Sequence, residues 1–133
     1  MKYKFLEHTA DIKFQSYGKS LEKAFENSAL AMFNAMSDSR IKLKLKKKIK
    51  VSGKDLESLL YNFLEELLFL LDTENFFLGK LKIRIKDLKL EAELQGDDVK
   101  NYETKVDVKA VTYNQMKVEK TSRGWMCQVV VDV

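Results

Sequence analysis

Between Leu81 and Gln95 apolar and charged side chains alternate with a period of two, and that alternation constrains the fold more than any other feature of the chain. Leu81, Ile83 and Ile85 are spaced by Lys82, Arg84 and Lys86; Leu88, Leu90, Ala92 and Leu94 alternate with Lys89, Glu91, Glu93 and Gln95. Successive side chains of a strand point to opposite faces, so each run has one apolar and one charged face. The runs meet at Lys86-Asp87, which makes them a tight meander or hairpin. A sheet with one apolar face has to bury it, and other elements must supply the cover.

Two amphipathic helices supply it. The first opens at Ser20, a good N-cap, and runs to about Met36, with Leu21, Ala24, Phe25, Ala29, Met32, Phe33 and Met36 on one stripe. The second starts near Asp55 and carries Leu56, Leu59, Leu60, Phe63, Leu64, Leu67, Leu68 and Leu71. Glu57, Ser58, Asn62, Glu65 and Glu66 occupy its opposite face. Burying a Leu contributes about 1.5–3 kcal/mol, so this broad stripe makes the second helix the centre of the core. Further period-two runs are Ile41 to Val51, alternating with lysines, then Val106 to Val118 and Gly124 to Val133. Lys2 to Leu6 and Ile12 to Tyr17 complete the strands. The order β-β-α-β-α-β-β-β-β predicts an α+β fold, a mostly antiparallel sheet with two helices on one face. Two similar substructures are conceivable, but identity between the halves is too low to define a repeat.

At 133 residues the chain fits a single domain, 1–133, able to bury a core without staples. Its lone cysteine excludes an internal disulfide framework and a multi-cysteine zinc site. Met1 to Glu7 contains no apolar run of signal-peptide length, and Glu65 and Glu66 interrupt the longest apolar region. The expectation is a cytoplasmic protein with no membrane association. The net charge of +4 is modest, with both signs interspersed. Lys42, Lys44, Lys46, Lys47, Lys48 and Lys50 form a dense basic run without interleaved aromatics. It reads as a solvated, edge-protecting strand face rather than as a direct nucleic-acid site.

The chemistry lies in the acids. Val129-Val130-Val131-Asp132-Val133 reads as a strand that reaches a carboxylate, with the main-chain carboxylate of Val133 one residue on. Asp11 stands at the entry to the Ile12 strand and Asp38 just beyond the first helix. Were Asp11, Asp132 and the Val133 carboxylate to converge, repulsion would cost on the order of 1–4 kcal/mol per close pair. A divalent cation or a nearby lysine has to offset it, and oxygen-only donors favour calcium, magnesium or manganese over zinc. His8, the only histidine, reads as a hydrogen-bonded turn residue, and Cys127 as packing. In Lys109-Ala110-Val111-Thr112-Tyr113, Ala and Thr are expected to pack inward, leaving Lys109 and Tyr113 on the other face.

Glu7-His8-Thr9-Ala10-Asp11-Ile12, Val108 to Tyr113 and Val131-Asp132-Val133, in that order, resemble the motifs of the archease family. The starts of both helices match as well, so the resemblance covers the whole chain. It implies strand–helix–strand–strand modules and a non-enzymatic activator of tRNA splicing. The implied partner is an RtcB-type RNA ligase, whose guanylylation, multiple turnover and range of nucleotide use such proteins promote. It further implies a divalent-metal site at Asp11, Asp132 and Val133, with Asp38 and Lys109 as functional residues for ligase activation. Lys13 stands where a glycine is common, and Asn114 where a histidine is common. Asn114 cannot titrate near neutral pH, so it brings no acid–base role. A small divalent-metal-dependent phosphoesterase using the same acids and His8 is the alternative.

Overall fold

A computed structural model describes residues 1–8 and 10–133; Thr9, inside the first motif, lies outside the described residues. The strands are β1 (Tyr3–Leu6), β2 (Ile12–Gly18), β3 (Leu45–Ser52), β4 (Phe76–Lys86), β5 (Lys89–Asp98), β6 (Ala110–Thr121) and β7 (Gly124–Asp132). The helices are α1 (Leu21–Met36) and α2 (Leu56–Glu74). The fold is α+β in the expected element order. Its strands divide into two antiparallel sheets, ordered β1-β2-β7-β6 and β3-β5-β4.

Both helices touch both sheets. α1 packs on β2, β7 and β4, and α2 on β6, β3 and β4. They meet the apolar faces that alternation dictates: Phe14, Cys127, Val129 and Val131 on one sheet, Ile49, Leu81, Ile83, Leu90, Ala92 and Leu94 on the other. Phe25 of α1 stacks on Phe63 of α2, with ring centroids 6.2 Å apart.

The element order conceals a duplication. β2-α1-β6-β7 and β3-α2-β4-β5 each run strand, helix, hairpin, and in each the last strand pairs between the first strand and its own hairpin mate. The second unit is inserted into the first, between α1 and β6. The helix entries correspond residue by residue: Gly18-Lys19-Ser20-Leu21-Glu22 and Gly53-Lys54-Asp55-Leu56-Glu57. Ser20 accepts a hydrogen bond from the N–H of Lys23, and Asp55 from that of Ser58. A Cβ on Gly18 would lie 2.4 Å from the nitrogen of Ala24, and one on Gly53 would lie 2.5 Å from that of Leu59. Asn27 donates to the carbonyl of Tyr17 at 2.7 Å, as Asn62 does to that of Ser52 at 2.8 Å. The repeat is therefore held by a glycine contact, a cap and a buttressing asparagine, with the apolar positions free to vary.

Element boundaries shift where tertiary partners compete. Ile41 and Leu43 precede β3: the N–H of Lys42 is taken by the Tyr102 hydroxyl at 2.8 Å, and pairing with β5 begins at Leu45↔Gly96. β4 starts five residues earlier than alternation indicates, since Phe76, Phe77 and Leu78 are all buried. Left-handed Asn75, at φ 58°, turns the chain straight from α2 into it. β6 starts at Ala110, and its pairing with β7 breaks between Thr112 and Lys117.

Candidate functional site

The residues of interest gather at one end of the four-stranded sheet. β2 and β7 pair through Ile12↔Val131, so one step further the register carries Asp11 toward Asp132. On the other side Ala110 pairs with Asp132, and the N–H of Lys109 donates to the carbonyl of Asp132 at 2.8 Å. Asp11, Asp132 and Ala110 thus fall on the sheet face turned away from the helices, and Val133 follows directly. Ala10, at φ 65°, holds the left-handed region immediately before Asp11, a conformation that disfavours a side chain.

Charge neutralisation at this end is incomplete. Lys13 lies on the same face as Asp11, yet its ammonium donates to the side chain of Gln115 at 2.7 Å. Among the described residues, the basic side chain within 4.0 Å of the Asp11 carboxylate is His8, with Nδ1 3.7 Å away and without a hydrogen-bond partner. This departs from the expected hydrogen-bonded turn histidine. Asp132 has no basic side-chain nitrogen within 4.0 Å among the described residues. Two carboxylates in neighbouring register positions, with the main chain of Val133 following directly after Asp132, offer hard-oxygen donors. Among the described residues no three His, Cys, Asp or Glu side chains group as a metal cage. Any cation held here would rely on that main-chain group or on water to complete its shell. The donor chemistry fits calcium, magnesium or manganese.

Asp38 is engaged elsewhere: it sits past the end of α1 and forms an exposed 2.9 Å ion pair with Lys105. The sheet register does not join it to the acidic pair. Lys109 is exposed, with its backbone tied to β7.

The break in β6 shapes the surroundings of these residues. Residues 113–116 bulge from the strand opposite a single residue of β7. Gln115 takes φ 55°, binds Lys13 through its side chain, and accepts the side-chain N–H of Gln128 at its carbonyl, 2.7 Å away. Gln128 accepts from Gln15 at 2.8 Å, and Gln15 from the hydroxyl of Tyr17 at 2.8 Å. Lys13 and Asn114, where the chain departs from the family pattern, meet at this one bulge.

The expectation that Ala110 and Thr112 point inward is reversed. Val111 is buried and its N–H donates to Glu65 of α2 at 2.9 Å, while Ala110 and Thr112 lie on the outer face, half-buried. Tyr113 is half exposed and stacks on Tyr61, centroids 4.2 Å apart. Burial raises its hydroxyl pKa, and the nearby Tyr61 and Asp55 add to this. Glu65, assigned by period to a solvated face, therefore anchors β6, because α2 lies between two sheets. Gln115, Gln128 and Glu65 escape sequence reasoning; the period-two pattern fading after Thr112 is the one local sign of the bulge.

Further along β7, Cys127 is fully buried beside Ser16 and Ser28, and desolvation pushes its thiol up to about 12 against their hydrogen bonds. It is a packing residue, as expected.

The model of the Archease protein family (MTH1598/TM1083) matches residues 3–133. The chain is 47% identical over 135 residues to the protein archease of Pyrococcus furiosus, covering 96% of this chain and 95% of that protein. To the protein archease of Methanosarcina barkeri it is 42% identical over 139 residues, covering 98% and 95%. The solution structure of Methanobacterium thermoautotrophicum protein 1598 superposes with a TM-score of 0.82 at 34% identity, over 98% of each chain. The crystal structure of a Thermotoga maritima archease, described as a possible chaperone, gives a TM-score of 0.71 over 96% of this chain and 94% of that one. At 19% identity the likeness speaks for the fold alone. With the family model spanning nearly every residue and relatives matched from end to end, the chain belongs to the archease family.

Proposed function

We propose that this chain is a non-catalytic activator of an RtcB-type RNA ligase, acting through a divalent cation held by Asp11, Asp132 and the main-chain carboxylate of Val133. The observation that carries the reading is the shared register position of Asp11 and Asp132 with, among the described residues, no basic side-chain nitrogen within 4.0 Å of Asp132. Such a pair is unfavourable by itself and becomes favourable with a hard cation. Bound there, the cation supplies positive charge for the phosphates of a nucleotide. Asp11 and Asp132 hold it from two strands, and the exposed Lys109 adds a second positive group beside β7. Asp38 serves the same end through Lys105, fixing the segment that leads into Val108 and Lys109. An exposed sheet end with no enclosing walls suits a group presented to another protein better than a site that sequesters a substrate.

The test is a guanylylation time course with the matched ligase. Asp11→Ala and Asp132→Ala are each expected to lower the stimulated rate at least tenfold while leaving the melting temperature of the metal-free protein near wild type. Undiminished stimulation by both variants would sink the reading. Phosphoester turnover by the isolated protein with manganese, lost in Asp11→Ala, would replace it with a phosphoesterase.

A further inference from the structure

The outer face of the three-stranded sheet concentrates positive charge to a degree that the linear sequence hides. β3 presents Lys46, Lys48 and Lys50 and β4 presents Lys80, Lys82, Arg84 and Lys86, all exposed. Between them runs β5, with Lys89, Glu91, Glu93 and half-buried Gln95 on the same face. The registers align these residues in rows: Lys46-Gln95-Lys80, Lys48-Glu93-Lys82, Lys50-Glu91-Arg84. Eight cations thus face two carboxylates, a surplus of six on a chain whose whole formal charge is +4, so the rest of the molecule is net acidic. Glu91 is shared by Lys50 at 3.6 Å and Arg84 at 3.9 Å, through exposed side chains that such pairing barely neutralises. Among the described residues, Lys46, Lys48, Lys80, Lys82, Lys86 and Lys89 have no carboxylate within 4.0 Å.

Lysines on β3 and β4 guard two sheet edges, but edge protection does not by itself call for an unneutralised surplus across the whole face. The duplication sharpens the contrast: Lys46 and Gln95 occupy the positions that Asp11 and Asp132 hold in the other unit. One fold unit presents a carboxylate pair there and its copy begins a basic face. The cations form two rows about 10 Å apart, spaced roughly 6.6–6.8 Å along each strand. No exposed large hydrophobic or aromatic side chain interrupts the face: Phe5, Leu43, Leu45, Phe69 and Tyr113 all lie elsewhere. A rigid, regular, aromatic-free lattice of cations complements a phosphate backbone of fixed geometry. It offers nothing on which the bases of a single strand can stack.

We infer that this face binds the phosphate backbone of base-paired RNA without reading its sequence. The choice of RNA over DNA rests on the ligase reading above. The phosphate contacts themselves rest on the charge rows alone.

The experiment titrates the full-length protein, without ligase, into a labelled 24-base-pair RNA duplex across 50–200 mM salt. Wild type is expected to bind with log K falling against log salt at a slope of about −3 to −5. Lys48→Gln/Lys82→Gln should weaken binding at least tenfold at 50 mM salt and make the slope shallower by about 2. Lys117→Gln/Lys120→Gln, which removes exposed cations from β6, should match wild type. Absence of binding at 50 mM salt, or equal losses in both double variants, would overturn the inference. Tighter binding of charge-matched polyglutamate, or of a DNA duplex of the same sequence, would overturn RNA as the occupant. Because the ligase is absent, failure here leaves the guanylylation test untouched.

Discussion

Cys127 and Val133 show what single residues contribute. The Cys127 thiol is raised by burial from its ordinary 9.0 to about 12. A thiol is charged when deprotonated, so above pH 9 the unfolded chain loses this proton before the folded one. The stability it contributes is whole below pH 9 and is lost as pH rises from about 9 toward 12. Near pH 10.5 the loss is about 2 kcal/mol, and chemical denaturation of Cys127→Ala should show a correspondingly flatter alkaline limb. At Val133 the relevant group is main chain. Appending one glycine after it leaves every side chain intact and displaces the carboxylate. The expected result is a loss of calcium- or manganese-dependent thermal stabilisation, read as a melting-temperature shift that wild type shows and the extended chain does not. The types of these residues were legible in the sequence. That Asp132 has no basic side-chain nitrogen within 4.0 Å among the described residues was not, because Lys13 on the neighbouring strand is drawn to a glutamine more than a hundred residues away.

At the scale of elements, each helix is fixed to its preceding strand by the same three devices, so equivalent substitutions should cost alike. Gly18→Ala and Gly53→Ala each force a Cβ into the backbone of the first helical turns and should destabilise by about 1–3 kcal/mol. Asn27→Ala and Asn62→Ala each strip a side-chain donor from a strand-end carbonyl. The loss should be nearer 1–3 kcal/mol for the buried Asn27 and smaller for the exposed Asn62. Urea unfolding of the four variants measures both pairs. Periodicity located both helices and their N-caps because caps and apolar stripes are local signals. It misplaced the start of β3 because the N–H of Lys42 is taken by the Tyr102 hydroxyl, and pairing with β5 begins only at Leu45↔Gly96. The same limit hid the β6 bulge, whose turn is held by Lys13 and Gln128.

On the scale of the whole molecule, an inserted copy of one unit explains two sheets, a shared middle layer of helices and two outer faces, one of them strongly basic. No helix among the described residues is long and apolar enough to cross a membrane. The sequence by itself determined the class of the fold, the order of its elements, the apolar face of every strand but β6 and the identity of the acidic candidates. These follow from local periodicity and residue chemistry, which need no knowledge of neighbours. Tertiary structure alone decided which strands pair, and pairing sets everything collective. It divides eight of the nine elements between two units and brings Asp11 beside Asp132, while loop packing ties Asp38 to Lys105. It also adds the cations of β4 to those of β3. Charge density and donor convergence are sums over strands distant in sequence, and only hydrogen-bond register performs that sum.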